Sequence, residues 1–383
     1  MNTQLPDTRK MIADLIAVPS VSCSNPSLDM SNRGVIDLVA EWIEPLGMKI
    51  EIQPIDDRKF NLIASSGSGS DGLVLSGHTD TVPCDPALWQ TDPFEVSERD
   101  NRLYGLGSCD MKSFLALAIQ AASTFDLQKL KRPLTIVATA DEESTMSGAR
   151  LIADNGRKLG RYCVIGEPTD LTPIHKHKGV LSMAIEFTGQ SGHASDPSLG
   201  NNALEAMHEF MAVLLTYRSK IQQQYQDPAF KIPTPTLNLG HIHGGDNSNR
   251  ICGSCQLLID IRYLPAMSMV QLKNDIDELA QELADRRNIH YQYRLLGEGL
   301  PAMETSEASA IAEYLTNITG KKSASVAFGT EGPYFNSMNT ETIIMGPGSI
   351  NQAHQPDEFL PIEQIDPTIT MLKLLINRFC IAA

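Results

Sequence analysis

The 383-residue sequence contains no apolar run approaching the roughly 18–20 residues that a membrane-spanning helix requires. Its opening, MNTQLPDTRKMIADLIAVPS, has no basic stretch followed by an apolar one, so no secretory signal is read and a cytoplasmic setting is expected. Positive charge is in deficit: 31 Lys+Arg stand against 46 Asp+Glu, a formal net charge of −15. A broad nucleic-acid face needs clustered Lys and Arg, so neither nucleic acid nor membrane is expected as a partner. Cysteine is sparse and odd in number, seven residues from Cys23 to Cys380, which suits reduced thiols rather than a disulfide framework. Cys252-Gly-Ser-Cys255 is a lone CxxC: a zinc ribbon needs a second pair, and a thioredoxin-type motif opens a helix, whereas this one leads into the strand-like Gln256–Tyr263. Ser65–Gly72 (SSGSGSDG) has no following P-loop Lys-Ser/Thr, so it reads as a hairpin tip rather than a phosphate cradle.

What is present is globular. Apolar residues make up 42% and charged residues 20%, and the length suits two domains or one large domain with an insertion. Leu73-Val74-Leu75, Thr135–Ala140 and Tyr162–Ile165 are short, continuously apolar and rich in β-branched residues, as strands buried on both faces of a parallel sheet are. Helical periodicity fills Met111–Phe125 and Ser147–Asn155 between them. A further strand, Glu341–Met345, comes only near the C-terminus, before a helix around Pro367–Phe379. The middle of the chain reads β-α-β-β-α-β: the alternating run around Met183, Ile185 and Phe187, then Asn202–Gln224, Thr236–His243, Gln256–Tyr263, Ser268–Arg287 and Ile289–Leu296. The expectation is an α/β domain of residues 1–178 and 298–383, a mixed and mostly parallel sheet covered by helices. Into it is inserted a ferredoxin-like βαββαβ domain, residues 179–297, with hinges near Gly179 and Gly297–Gly299.

Ligands of open α/β sheets gather beyond the carboxyl ends of the strands. Five segments carry His or carboxylate there: His78-Thr79-Asp80, Asp110 after Tyr104–Gly107, Asp141-Glu142-Glu143, Glu167, and His354 after Gly346-Pro347-Gly348. One His or Glu after a strand is usually a capping or solvated residue; five strand ends meeting at one sheet edge are not. Like charges a few ångströms apart repel by about 4 kcal/mol at an effective dielectric near 20, and a divalent cation relieves that. Two His with several carboxylates suit zinc, cobalt or manganese better than magnesium or calcium. The set exceeds one tetrahedral site and divides into two metals sharing a carboxylate.

His78-Thr79-Asp80, Gly107–Lys112 (GSCDMK), Asp141-Glu142-Glu143 and Gly166–Thr169 (GEPT) resemble the motifs of the dinuclear zinc aminoacylase/carboxypeptidase/desuccinylase family of metallohydrolases. Gly77–Pro83, Gly189–Pro197, Pro235–Gly253 and Gly346–Glu358 extend the resemblance over nearly the whole length. It implies a zinc-peptidase-like catalytic domain that cleaves the amide of a small N-acyl amino acid. By resemblance, two Zn2+ (Co2+ a possible substitute) are held by His78 with Glu167 and by Glu143 with His354, and Asp110 bridges them. Glu142 is then the general base, Asp80 orients the His78 ring, and His193 reaches the scissile carbonyl, often from the partner subunit of a homodimer. The inserted domain becomes the dimerisation and lid domain. Arg250, Asn249 and Lys178 lie where the family gathers anion contacts, and Glu331 is a candidate for a substrate ammonium. His175 and His177 are left to solvent or to supporting positions, His208 and His290 to the surface.

Overall fold

The computed structural model describes residues 5–382; the first four, part of the stretch read for a secretory signal, lie outside the described residues. Among the described residues no helix is long and apolar enough to cross a membrane. The continuously apolar runs become strands Leu73–His78, Leu134–Thr139 and Tyr162–Pro168, buried along their whole length, and Glu341–Gly346. They pair in parallel in the spatial order Leu134–Thr139, Leu73–His78, Tyr162–Pro168, Glu341–Gly346. Lys49–Pro54 and Phe60–Ser66 extend the sheet antiparallel beyond Leu134–Thr139, so the sheet is mixed with a parallel centre.

Helices Thr8–Ile16, Arg33–Ile43, Lys112–Ala122 and Ile365–Ile376 share one apolar core with alternate sheet residues such as Leu75, Ile136, Val164 and Ile343. The residues between them, including Val74, Val137, Cys163 and Ile344, are also buried, as a sheet covered on both faces requires. Lys112–Ala122 is buried almost all round, which its apolar run without a polar face dictates. Gly166 lets that helix press onto the sheet: a Cβ there would lie 1.9 Å from Phe114 Cγ.

Two sequence-based expectations are corrected. Ser65–Gly72 is not a hairpin tip, because Phe60–Ser66 and Leu73–His78 lie on opposite sides of Leu134–Thr139 and the loop crosses between them. Nor do five strand ends belong to one sheet. Arg102–Tyr104 pairs antiparallel with Ser97–Arg99 and Phe359–Pro361 in a separate three-stranded sheet. Asp100 and Asn101, at φ 50° and 58°, make a tight hairpin there, a turn that favours Asn and Asp. Four ends remain in the central sheet, and Asp110 arrives from the small one.

Lys176–Glu304 with Ser325–Gly329 forms a second compact unit. It takes in residues 176–178 before Gly179 and 298–304 after Gly297, which include the antiparallel pairs His177 with Met303 and Lys176 with Glu304. Its strands run in the order Thr236–Gly244, Ser254–Tyr263, Gly179–Thr188, His290–Leu295, all antiparallel, the ferredoxin-like arrangement. Helices Ala203–Gln224 and Met269–Arg287 cover one face, each capped by a side chain (Asn202 and Ser268) that accepts backbone N–H groups of the first turn. Phe187 and Phe210 meet edge to face at 5.5 Å in the core between sheet and helix. Phe210→Ala, emptying a fully buried position, is expected to destabilise this unit by about 3–5 kcal/mol, read from denaturant unfolding of the full-length chain.

Candidate metal centre

The buried strand Leu73–His78 ends on His78, whose ring is only 1% exposed. Nδ1 lies 3.0 Å from the main-chain carbonyl of Asp80 and 3.7 Å from its carboxylate, so the carbonyl is the nearer partner. A proton donated there turns the Nε2 lone pair inward. Nε2 stands 3.0 Å from Asp110 Oδ1 and 3.7 Å from Glu167 Oε1. Asp110 Oδ2, in turn, is 3.5 Å from His354 Nε2, which lies 3.1 and 3.2 Å from the two oxygens of Glu143. Asp110 thus presents one oxygen to each histidine. Ligand atoms of His78, Asp110 and Glu143 lie within 4.8 Å of one another, as do those of His78, Glu142 and Glu167.

Supporting groups hold this arrangement. The Asp80 carboxylate, wholly buried, accepts the N–H of Glu142 (3.3 Å) and of Glu143 (3.1 Å), fixing the loop after strand Leu134–Thr139. Of the three consecutive acids, Asp141 does not join the cluster. It sits at φ 64° and accepts the hydroxyls of Ser144, Thr145 and Ser147, with Lys59 Nζ 3.8 Å away. Lys59, not among the residues expected at the site, is buried and also bonds Asp29 (2.7 Å) and Ser22 (2.8 Å). Its only signal in the sequence is a basic residue opening the apolar run Phe60–Ser66.

The electrostatics are those of crowded acid. Burial, then the neighbouring Glu167, holds the Glu142 carboxyl well above its ordinary range, and burial with Asp110 does the same to Glu167. Glu143 is raised by burial and Asp110. Burial opposes charge on His78, but Asp110, Glu167 and Glu142 outweigh it and raise the ring well above its usual value. His354, hydrogen-bonded to Glu143, is raised to about 8. Glu167 Oε1 is buried with no hydrogen-bond partner among the described residues. An orphaned carboxylate oxygen among imidazole nitrogens and further carboxylates fits a divalent transition-metal ion, which satisfies the oxygen and offsets the repulsion together.

The residues expected to meet substrate divide. In the second unit His193, Asn249 and Arg250 come together: His193 and Arg250 form a bridge, and Ala194 N–H donates to the Asn249 carbonyl (2.9 Å). All three side chains are exposed; Arg250 pairs with Asp246 and His193 with the Ser195 hydroxyl. Lys178 is different. It is 2% exposed and its Nζ donates to the carbonyls of Ile232 (2.8 Å) and Thr234 (2.7 Å), so its donors already serve its own unit. Glu331 is buried, accepts the Thr139 hydroxyl on one oxygen (2.9 Å) and is pushed up to about 7 by burial. His175 and His177 are not solvated but buried, His175 beside Glu307 (3.2 Å) and His177 on the Lys178 carbonyl (2.8 Å). His208 and His290 are exposed.

A relative named acetylornithine deacetylase from Edwardsiella ictaluri is 46% identical over 382 residues, covering 99% of this chain and 100% of its own. The solved aminopeptidase PepT of Bacillus cereus superposes with a TM-score of 0.76 at 16% identity, covering 97% of this chain and 98% of its own. A dinuclear metal-binding M20 peptidase of Bacillus subtilis superposes with a TM-score of 0.68 at 15% identity, covering 97% of each. Residues 74–378 match a single family, which takes in every residue of the cluster: the chain belongs to peptidase family M20/M25/M40.

Proposed function

We propose that this chain hydrolyses the amide of N2-acetyl-L-ornithine to L-ornithine and acetate, a step of arginine biosynthesis in the cytoplasm. Near-half identity along the whole chain to relatives named for that deacetylation carries the reading. The His78–Asp110–His354 cluster supplies matching chemistry.

In this reading His78 and Glu167 hold one zinc, Glu143 and His354 a second, and Asp110 serves both; cobalt fits the same donors. When bound, the ions supply Lewis acidity to the amide carbonyl and make water acidic enough to lose a proton near neutrality. Glu142 takes that proton and returns it to the departing amine nitrogen. Glu142 is buried within ligand distance of His78 and Glu167, where a carboxylate can both accept and give that proton. Asp80 keeps the Glu142 backbone and the His78 ring in place. His193 donates to the developing oxyanion, and Arg250 with Asn249 grips the substrate α-carboxylate. The inserted unit acts as lid and dimerisation element, with His193 of the partner subunit completing each site.

Four measurements test this. Glu142→Gln should keep both metals yet lose about 10²–10⁴-fold in kcat, and a variant retaining a substantial fraction of wild-type turnover would remove Glu142 from the base role. Metal-stripped protein should gain about 2–4 kcal/mol of stability as Zn2+ rises to 100–1,000 times its Kd, seen as an increased Tm; an unchanged Tm would leave the cluster without its ions. The ratio of kcat/KM on acetylornithine to that on succinyl-diaminopimelate, acetylmethionine and a dipeptide should favour acetylornithine. Preference for another of these reassigns the substrate within the family, and an active monomer by ultracentrifugation ends the role given to the partner subunit.

A further inference from the structure

Glu358 closes the stretch Gly346–Glu358 that carries His354, four residues downstream of that histidine. It is 1% exposed. Oε1 accepts the backbone N–H groups of Cys109 (2.7 Å) and Asp110 (2.9 Å), and Oε2 accepts that of Gly107 (3.0 Å). Its main-chain carbonyl takes a fourth, from Gly105 (3.0 Å). Between them, Ser108 N–H closes the turn on the Gly105 carbonyl (3.0 Å). The turn is therefore a concave array of N–H groups aimed at one anion, the geometry of a backbone nest. Gly107 stands at φ +81°, and a Cβ there would lie 2.7 Å from Lys112 Cδ, so the sequence needs glycine to form it. Phe359 and Leu360 then pair with Tyr104 and Leu103, and the Cys109 thiol reaches the Ser349 carbonyl (3.5 Å). The Asp110 turn and the His354 loop, more than two hundred residues apart in the chain, are thereby tied together.

We propose that Glu358 is a positioning residue for the metal pair: by anchoring the Asp110 backbone to the loop that carries His354, it sets the spacing of the two ion positions. The proposal rests on the dinuclear reading above. Asp110 must offer Oδ1 towards His78 and Oδ2 towards His354 at once. His78 and Glu167 are held by strands Leu73–His78 and Tyr162–Pro168, whose ladder does not involve Glu358. His354 has no strand beneath it; its loop is joined to the Asp110 turn by Glu358. Loss of the clamp therefore acts unequally. The ion on His78 and Glu167 keeps those two strand-held donors and loses only its share of Asp110, while the ion on Glu143 and His354 loses its share of Asp110 and the anchoring of the loop that carries His354.

The test is titration of metal-stripped full-length protein with Co2+, by calorimetry and visible absorption, alongside the Tm of each metal-free protein. Glu358→Gln places an N–H donor where the turn presents N–H donors, so at least one clamp bond fails. The expected result is a first Co2+ within about threefold of wild type and a second weakened about 10–100-fold, with altered absorption of the second ion. Glu358→Asp, which keeps the carboxylate, should recover part of the second affinity. Titrations of Glu358→Gln that superimpose on wild type overturn the proposal. So does equal weakening of both ions with a fallen metal-free Tm, the mark of general loosening. Should Glu358→Gln fail to fold, Glu358→Asp is judged by the same split. Wild-type protein binding fewer than two ions instead overturns the dinuclear reading itself, and the proposal with it.

Discussion

The crowding of acid at the carboxyl ends of the parallel strands is the constraint on which the rest of this structure turns. Asp110, Glu142 and Glu167 are buried, and Glu143 is nearly so at the side chain, all within reach of one histidine ring. Each such pair costs about 4 kcal/mol at 4 Å with an effective dielectric near 20, and burial adds to the penalty. Two half-compensating histidines do not remove it: the carboxyls of Glu142 and Glu167 remain held far up. A polypeptide keeps such a cluster only on a scaffold that cannot relax away from it. Four parallel strands, three of them buried end to end, provide that scaffold.

A second set of buried acids has a different task. Asp80, Glu358 and Asp141 take no part in the cluster; each accepts backbone N–H or hydroxyl groups of a loop that carries cluster residues. Asp80 holds the Glu142–Glu143 loop, Asp141 shapes the turn that follows it, and Glu358 holds the Asp110 turn. Loops are where a sheet is least able to fix side chains, since they lack a ladder. Here anions substitute for the ladder, and the ligands on loops are placed almost as firmly as those on strands.

Much of this was legible in the sequence because it is local. Strands with apolar residues on every position announce a parallel sheet, and period two followed by long amphipathic helices announces the ferredoxin-like unit. His78, Glu142 and Glu167 are found simply by asking what stands at the end of each such strand. What escaped depends on partners far away in the chain. Lys178 looks like a free cation until the carbonyls of Ile232 and Thr234 are brought over its Nζ. Glu331 resembles a loop acid until Thr139 closes on it. The Asp100-Asn101 hairpin is a local signal: it turns Arg102–Tyr104 back onto Ser97–Arg99, so the Tyr104–Gly107 stretch before Asp110 does not end a strand of the central sheet.

Charge balance explains why the two sets of acids stay distinct. Lys112, 1% exposed, donates to the Val18 carbonyl (2.8 Å), and burial lowers it to about 7 against the pull of Asp80 and Glu358. Lys59 stands likewise between Asp29 and Asp141. The clamping acids are answered mainly by the N–H and hydroxyl groups they accept and by these lysines, but Glu358 still feels the cluster: burial and then Asp110 push it up to about 8. At the cluster, in the reading proposed above, two divalent ions would balance the carboxylates of Asp110, Glu142, Glu143 and Glu167 to a net charge of zero with neutral imidazoles. A site balanced in that way would spend none of its positive potential on surplus carboxylate. Negative charge developing on a reacting carbonyl would then be met by a site not already neutralised in excess, which is the condition for stabilising that charge over the ground state.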